Sequence, residues 1–197
     1  MKRRSALVGL LAACALWLTP VNDAGAQDAR TFIAALGQQA IQVLGPGVPE
    51  AQRLAQFRVL FHNDFDVPGI GRFVLGRYWR VATPQEQQEF LGLFQEYIVR
   101  AYSARLGEYA GEPFSVSGAR PAGDQILVSS AIARPSGPVV VDWYLANRGG
   151  RLLITDVYVG GISMAVTQRD EFASVIQRNG GSVAGLIAQL RQKLGAG

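Results

Sequence analysis

The residues able to do chemistry are few, and their spacing excludes most of the familiar reactions. His62 is the one histidine in 197 residues, so an imidazole-centred triad has a single possible centre and a two-histidine metal site has none. Its place at the end of a helix-like stretch, beside Asn63 and Asp64, suits a surface or capping role. Cys14 is the one cysteine, and it sits in an N-terminal segment that reads as removable. There is no Ser-flanked GxSxG and no glycine-rich loop ending in Lys-Ser or Lys-Thr, so hydrolase and nucleotide-binding chemistry have no motif to rest on. One carboxylate pair stands out, Asp142 and Asp156, in two apolar segments separated by Gly149-Gly150. With a two-residue turn there, Arg148 faces Arg151, and counting back sets Trp143 opposite Asp156 and Asp142 opposite Val157. The two acids then point to opposite faces, and a shared acid/base site would need a bulge or a longer loop.

Arginines interleaved with rings form the other conspicuous set: Arg72, Phe73, Arg77, Tyr78, Trp79 and Arg80. Such a set can stack bases and hold phosphates in single-stranded nucleic acid. It can equally be core-facing rings with arginines reaching out to water, or arginines that meet anionic lipid headgroups at the rim of an apolar hollow. Charge bears on the choice. The chain carries 19 Lys and Arg against 15 Asp and Glu, and without Lys2, Arg3, Arg4 and Asp23 the counts fall to 16 and 14, near +2. That balance is no nucleic-acid signature.

The first residues read as an export signal over 1–26: a basic start at Lys2-Arg3-Arg4, an apolar run from Ala6 to Leu18, and Ala24-Gly25-Ala26 as a cleavage box. The run is shorter than the roughly 20 residues that cross a bilayer. An exported protein is the expectation, with residues 27–197 as a single domain. Leu11-Ala12-Ala13-Cys14 is a competing lipoprotein box; if cleavage follows Ala26, the mature chain has no cysteine and no thiol chemistry.

Stepping through the elements that must position these groups, helical periodicity appears over Asp28 to Leu44, ended by Gly45-Pro46-Gly47, and again over Pro49 to His62. Asp66 can cap a short helix that stops at Gly76. Thr83-Pro84-Gln85-Glu86 combines a cap, a proline in the first turn and a glutamate three residues on; the helix it opens should reach Leu106 before Gly107. Beyond Pro113 the period changes to two, giving strands over Phe114 to Ser117, Gln125 to Ala133, Val139 to Ala146 and Arg151 to Val159. Two further helices, Met164 to Arg178 and Ser182 to Leu194, close the chain. The fold class is therefore α+β, an antiparallel sheet of about four strands packed with about six helices.

Both faces of the third and fourth strands are apolar, with Val139, Val141, Trp143 and Leu145 on one side of their strand and Val140, Tyr144 and Ala146 on the other. A sheet with one wet face would alternate more cleanly. Either helices cover both sides, or a curved sheet wraps a ligand chamber walled by these strands and the helix beginning at Pro84.

Three segments carry a resemblance to a known family: Val74 to Phe90 (VLGRYWRVATPQEQQEF), Phe94 to Tyr102 (FQEYIVRAY), and Asp156 to Met164 (DVYVGGISM) ahead of Gln168 to Phe172 (QRDEF). The chain resembles the periplasmic phospholipid-binding proteins of the Mla (maintenance of lipid asymmetry) pathway, the MlaC family, also described as toluene-tolerance proteins. In one place it departs, because Gly160 stands where the family usually has an acidic residue before the Gly-[Val/Ile]-Ser step. The resemblance implies a non-enzymatic carrier with a phospholipid as cargo, no other cofactor, no metal and no catalytic residue. It implies two docking partners, an inner-membrane ABC transporter complex with an MCE-domain ring and an outer-membrane lipoprotein–porin complex. A related branch is linked to hopanoids.

On this reading the apolar chamber holds acyl chains, and its walls are expected at Val74, Tyr78, Phe94, Ile98, Tyr102, Trp143, Ile154, Tyr158, Ile162 and Met164. Arg77 and Arg80 are the expected headgroup or partner contacts. Two rivals make different demands. A small-molecule enzyme with a cone-shaped pocket needs Asp142 or Asp156 inside that pocket, and an adaptor without ligand needs a core with no internal volume.

Overall fold

The computed structural model describes residues 21–45, 47–106 and 111–195. The N-terminal apolar run with Cys14, Pro46 and the helix stop expected at Gly107 lie outside the described residues. Helix α1 spans Val21–Leu44, beginning ahead of Asp28 and running through the Ala24-Gly25-Ala26 segment. Helices α2 (Glu50–Asp64) and α3 (Val67–Leu75) follow, then a 3₁₀ turn over Gly76–Arg80 and the long helix α4, Pro84–Leu106.

Local chemistry explains these starts. Thr83 and Glu86 form a reciprocal capping box, with the Glu86 N–H donating to Thr83 Oγ1 at 3.2 Å and the Thr83 N–H to Glu86 Oε2 at 2.8 Å. Asp66 caps α3 by accepting from the Gly69 N–H at 3.0 Å.

Five strands follow: β1 Phe114–Ala122, β2 Gln125–Ile132, β3 Val139–Arg148, β4 Arg151–Val159 and β5 Ile162–Ser163. They form one antiparallel meander in the order β1-β2-β3-β4-β5. The sheet thus has one strand more than expected, because Gly160 and Gly161, at φ 58° and 82°, make a left-handed two-residue turn that returns Ile162 beside Val159. Strand β1 runs past Ser117 to Ala122 across Pro121, which an edge strand tolerates.

Gly149 and Gly150 make the expected turn, and Arg148 pairs with Arg151. The register does not hold, however. A bulge leaves Thr155 unpaired between Tyr144↔Asp156 and Leu145↔Ile154, so Trp143 lies opposite Val157 and Asp142 opposite Tyr158. The Thr155 hydroxyl secures the bulge by donating to the Tyr144 carbonyl and accepting from Gln125 Nε2, both at 3.1 Å.

Helices α5 (Met164–Arg178) and α6 (Val183–Gly195) complete the chain. Two apolar clusters result. In one, Phe90 and Phe94 stack and Phe172 meets both edge-on, among buried residues of α2 to α6. In the other, Ala29, Ile33 and Leu36 of α1, with Leu60 of α2, cover Val128, Leu145 and Ile154 of the sheet. Arg58 of α2 grips Glu96 of α4, and Arg191 of α6 pairs with Glu89 of α4.

Candidate functional site: an apolar cavity between sheet and helices

A cavity of about 420 Å³ lies between the sheet and four helices. The helix side is built from Phe57, Phe61 and Phe65 at the end of α2, Ile70 and Val74 of α3, Phe94, Ile98 and Tyr102 of α4, and Met164, Ala165 and Gln168 of α5. Ile132, Val139, Val141, Trp143, Thr155, Asp156, Val157 and Val159 form the sheet side. The volume falls in the range of small-molecule pockets, roughly 300–1,000 Å³.

Helical spacing positions these walls. Phe57 and Phe61 lie one turn apart in α2, and Phe65, the extended residue that ends it, continues the row, with ring centroids 6.1 and 4.9 Å apart. On the sheet, Val141↔Val159 and Trp143↔Val157 are directly paired, so the bulge sets Val157 and Val159, rather than Asp156 and Tyr158, beside Val141 and Trp143. The indole N–H of Trp143 donates to Ser130 Oγ at 2.8 Å, and Ser130 donates to the Val141 carbonyl at 2.8 Å. With its polar atom satisfied inside the sheet, Trp143 offers the cavity ring carbons.

Polar groups on the wall are few. Asp156 is bound on both oxygens, accepting from Ser163 Oγ at 2.5 Å, from the Val157 N–H at 2.7 Å and from the Ala165 N–H at 3.0 Å. The bonds from Ser163 and Ala165 tie the start of α5 to β4. Asp142 stands elsewhere, accepting from Ser129 Oγ at 2.6 Å. Gln168 donates to Glu171 at 3.2 Å, and Tyr102 Oη lies 3.8 Å from Met164 Sδ. Arg134, just beyond β2, is the one cation on the described wall.

Of the residues expected on the wall, Val74, Phe94, Ile98, Tyr102, Trp143 and Met164 line the cavity, and four do not. Ile154 is fully buried in the α1-facing cluster with Leu145. Tyr158 lies opposite Asp142 with its ring against Tyr144, 5.0 Å between centroids, since the bulge reverses its side of β4. Ile162 is 61% exposed in the short edge strand. Tyr78 belongs to the 3₁₀ turn outside the cavity, where its hydroxyl accepts from Arg77 Nη2 at 2.8 Å, a bond that holds the phenol below its ordinary pKa. Arg77 and Arg80 are exposed and lie off the wall as well.

Sequence reasoning missed the phenylalanine row and Arg134. The row was visible as a ring every fourth residue through α2 and its last cap, a pattern shared with ordinary core; nothing in the sequence marks a loop arginine as a cavity residue. A second hollow of about 530 Å³, near Gly150 at the opposite end of β3 and β4, is lined by Asp28, Asp124, Asn147 and Arg151 among others. Its charged rim suits water better than an apolar ligand.

Comparison with known proteins agrees with this architecture. The sequence profile of the MlaC protein family matches residues 35–192. Toluene tolerance protein ttg2D of Pseudomonas putida is 31% identical over 137 residues, 64% of this chain and 64% of that protein. The intermembrane phospholipid transport system binding protein MlaC of Haemophilus influenzae is 21% identical over 145 residues, 68% of this chain and 67% of that one. The chain thus matches about two thirds of the length of these relatives, slightly less for the first. A phospholipid-binding protein from Ralstonia solanacearum, solved in complex with a phospholipid, superposes with a TM-score of 0.73 at 22% identity, covering 85% of this chain and 97% of that one.

Proposed function

The chain belongs to the MlaC family, and from that premise we propose that it is a periplasmic carrier that encloses the acyl chains of a phospholipid and shuttles it between outer-membrane and inner-membrane transport complexes, without catalysing a reaction. The observation that carries this reading is the cavity of about 420 Å³ whose walls are almost wholly apolar. The phospholipid bound to the Ralstonia neighbour and the transport system named for the Haemophilus relative support it.

The energetics suit a carrier. Burial is worth about 0.8 kcal/mol per methylene, so every ten or so methylenes hidden are worth about 8 kcal/mol against water. A lipid held this way does not escape into solvent. A bilayer hides the same chains, so transfer between a membrane complex and the carrier is nearly balanced, and no catalytic group is required. Val74, Phe94, Ile98, Tyr102, Trp143 and Met164, with Phe57, Phe61 and Phe65, are the proposed chain contacts. Arg77 and Arg80, exposed and away from the cavity, fit contact with a docking partner, an inner-membrane MCE-domain transporter or an outer-membrane lipoprotein–porin complex, rather than with the cargo.

Native mass spectrometry of protein purified from a bacterial periplasm, followed by solvent extraction, tests the reading. About one phospholipid per chain is the expected result. A hopanoid would reassign the cargo, and lipid-free protein under gentle purification would overturn the carrier reading.

A further inference from the structure

Among the residues lining the cavity, Arg134 and Asp156 carry charge, and they differ in one respect. Asp156 is consumed by three donors within the protein. Arg134 is not. Its guanidinium makes no hydrogen bond among the described residues; its Nε lies 3.7 Å from Glu112 Oε1, an ion pair too long for a hydrogen bond. The side chain is 44% exposed and that of Glu112 19%.

The backbone fixes where this cation stands. Ile132 and Val139 pair at the last rung between β2 and β3, and both line the cavity. Arg134 opens the connecting loop directly beyond that rung, with the turn closed by the Gly137 N–H donating to the Arg134 carbonyl at 3.0 Å. The Ala133 N–H donates to the Pro113 carbonyl at 2.9 Å, which holds the segment bearing Glu112 alongside. An apolar cavity therefore ends at a planar fork of donors with a carboxylate as its loose counter-ion. Guanidinium matches phosphate oxygens two at a time, and its bonds to an anion at hydrogen-bonding distance exceed a 3.7 Å ion pair.

We propose that Arg134 receives the phosphate of a glycerophospholipid whose chains fill the cavity, exchanging Glu112 for the phosphate on loading and taking Glu112 back on release. This rests on the carrier reading above and adds to it the group that recognises the headgroup end. Glu112 is then a competitor that keeps the site from holding phosphate too tightly.

The test loads purified full-length protein from vesicles containing phosphatidic acid and diacylglycerol of identical chains, and compares the two lipids bound after re-isolation. Wild type should favour phosphatidic acid. Arg134→Ala should lower that ratio roughly tenfold, Arg134→Lys should restore part of it, and Glu112→Gln should raise it. An unchanged ratio in Arg134→Ala, with both lipids still bound, overturns the phosphate assignment and leaves the carrier reading standing. Wild type that binds neither lipid overturns the carrier reading itself. In a parallel arm inorganic phosphate is titrated into lipid-free protein; saturable binding abolished by Arg134→Ala would make this a plain anion site and overturn the lipid source.

Discussion

Arg58 and Glu96 meet through two hydrogen bonds of 2.8 Å, Nε to Oε1 and Nη2 to Oε2, joining α2 to α4 across 38 positions of sequence. Both helices carry cavity residues on their inner sides, Phe57 and Phe61 on one and Phe94 and Ile98 on the other. The pair therefore joins two of the helices that wall the cavity.

It also gives the stability a pH dependence. The hydrogen bond to Arg58 holds the Glu96 carboxyl below its ordinary pKa, against a smaller opposing effect of burial. The unfolded chain then binds the proton more readily, so the stabilisation is complete above the ordinary glutamate range and is lost as pH falls through the lowered folded value. The side chains are 39% and 36% exposed, so screening limits the pair to about 0.5–1 kcal/mol. Glu96→Gln should lower Tm at neutral pH by about 1–4 °C and flatten the acid limb of a thermal-melt series between pH 7 and 3. A variant whose acid limb parallels wild type would remove Glu96 from that role.

Asp156 is expected to be structural. Losing two hydrogen bonds at the start of α5 and one within β4, Asp156→Ala should reduce unfolding free energy by about 2 kcal/mol, read from the urea midpoint. An unchanged midpoint would show that the carboxylate is not needed to hold α5, and would revive the pocket-acid enzyme as a rival.

Ile98 tests the cavity directly. In a filled core, a change to tryptophan costs about 1–3 kcal/mol through overpacking; beside open volume the new ring has somewhere to go. Ile98→Trp should keep Tm within a few degrees of wild type while most of the bound lipid disappears from native mass spectra. A collapsed Tm with lipid content intact would return Ile98 to the core.

Removing both Arg77 and Arg80 should leave bound lipid unchanged, because neither reaches the cavity. If they serve docking, lipid transfer to membranes carrying the partner complexes should fall in the Arg77→Ala, Arg80→Ala protein at equal lipid content. A loss of bound lipid in the purified double variant would contradict their placement.

Much of this was written in short-range chemistry. Thr83 and Glu86 announce their capping box because both halves lie within one turn, and the switch from helical to alternating periodicity locates the sheet because it needs no knowledge of partners. Asp66 likewise declares its helix, although its ion pair with Arg148 at 2.9 Å, 82 positions away, does not show in sequence. The cavity was only half legible. Rings on α4 serve two masters, with Phe90 fully buried against Phe172 and Tyr102 on the cavity wall, and composition does not separate a ring facing ring from a ring facing space. The bulge was illegible, since threonine is an ordinary strand residue. Counting from a correctly placed turn therefore failed only beyond Ile154, which moved Tyr158 off the expected wall.

That single unpaired threonine acts as a frame shift in the strand's reading. From the Gly149-Gly150 turn to Ile154 the strand keeps one phase, and after Thr155 it keeps the other, so that Ile154 can share a side with both Val157 and Val159. Pairing Thr155 with Tyr144 would restore one unbroken phase and hand the positions of Val157 and Val159 to Asp156 and Tyr158. The positions beside Trp143 and Val141 would then carry an acid and a phenol in place of two valines, without any substitution having been made. For this hairpin, register is a more stringent constraint than identity: a change of one valine for another apolar residue adjusts the wall, whereas the loss of the bulge turns it inside out.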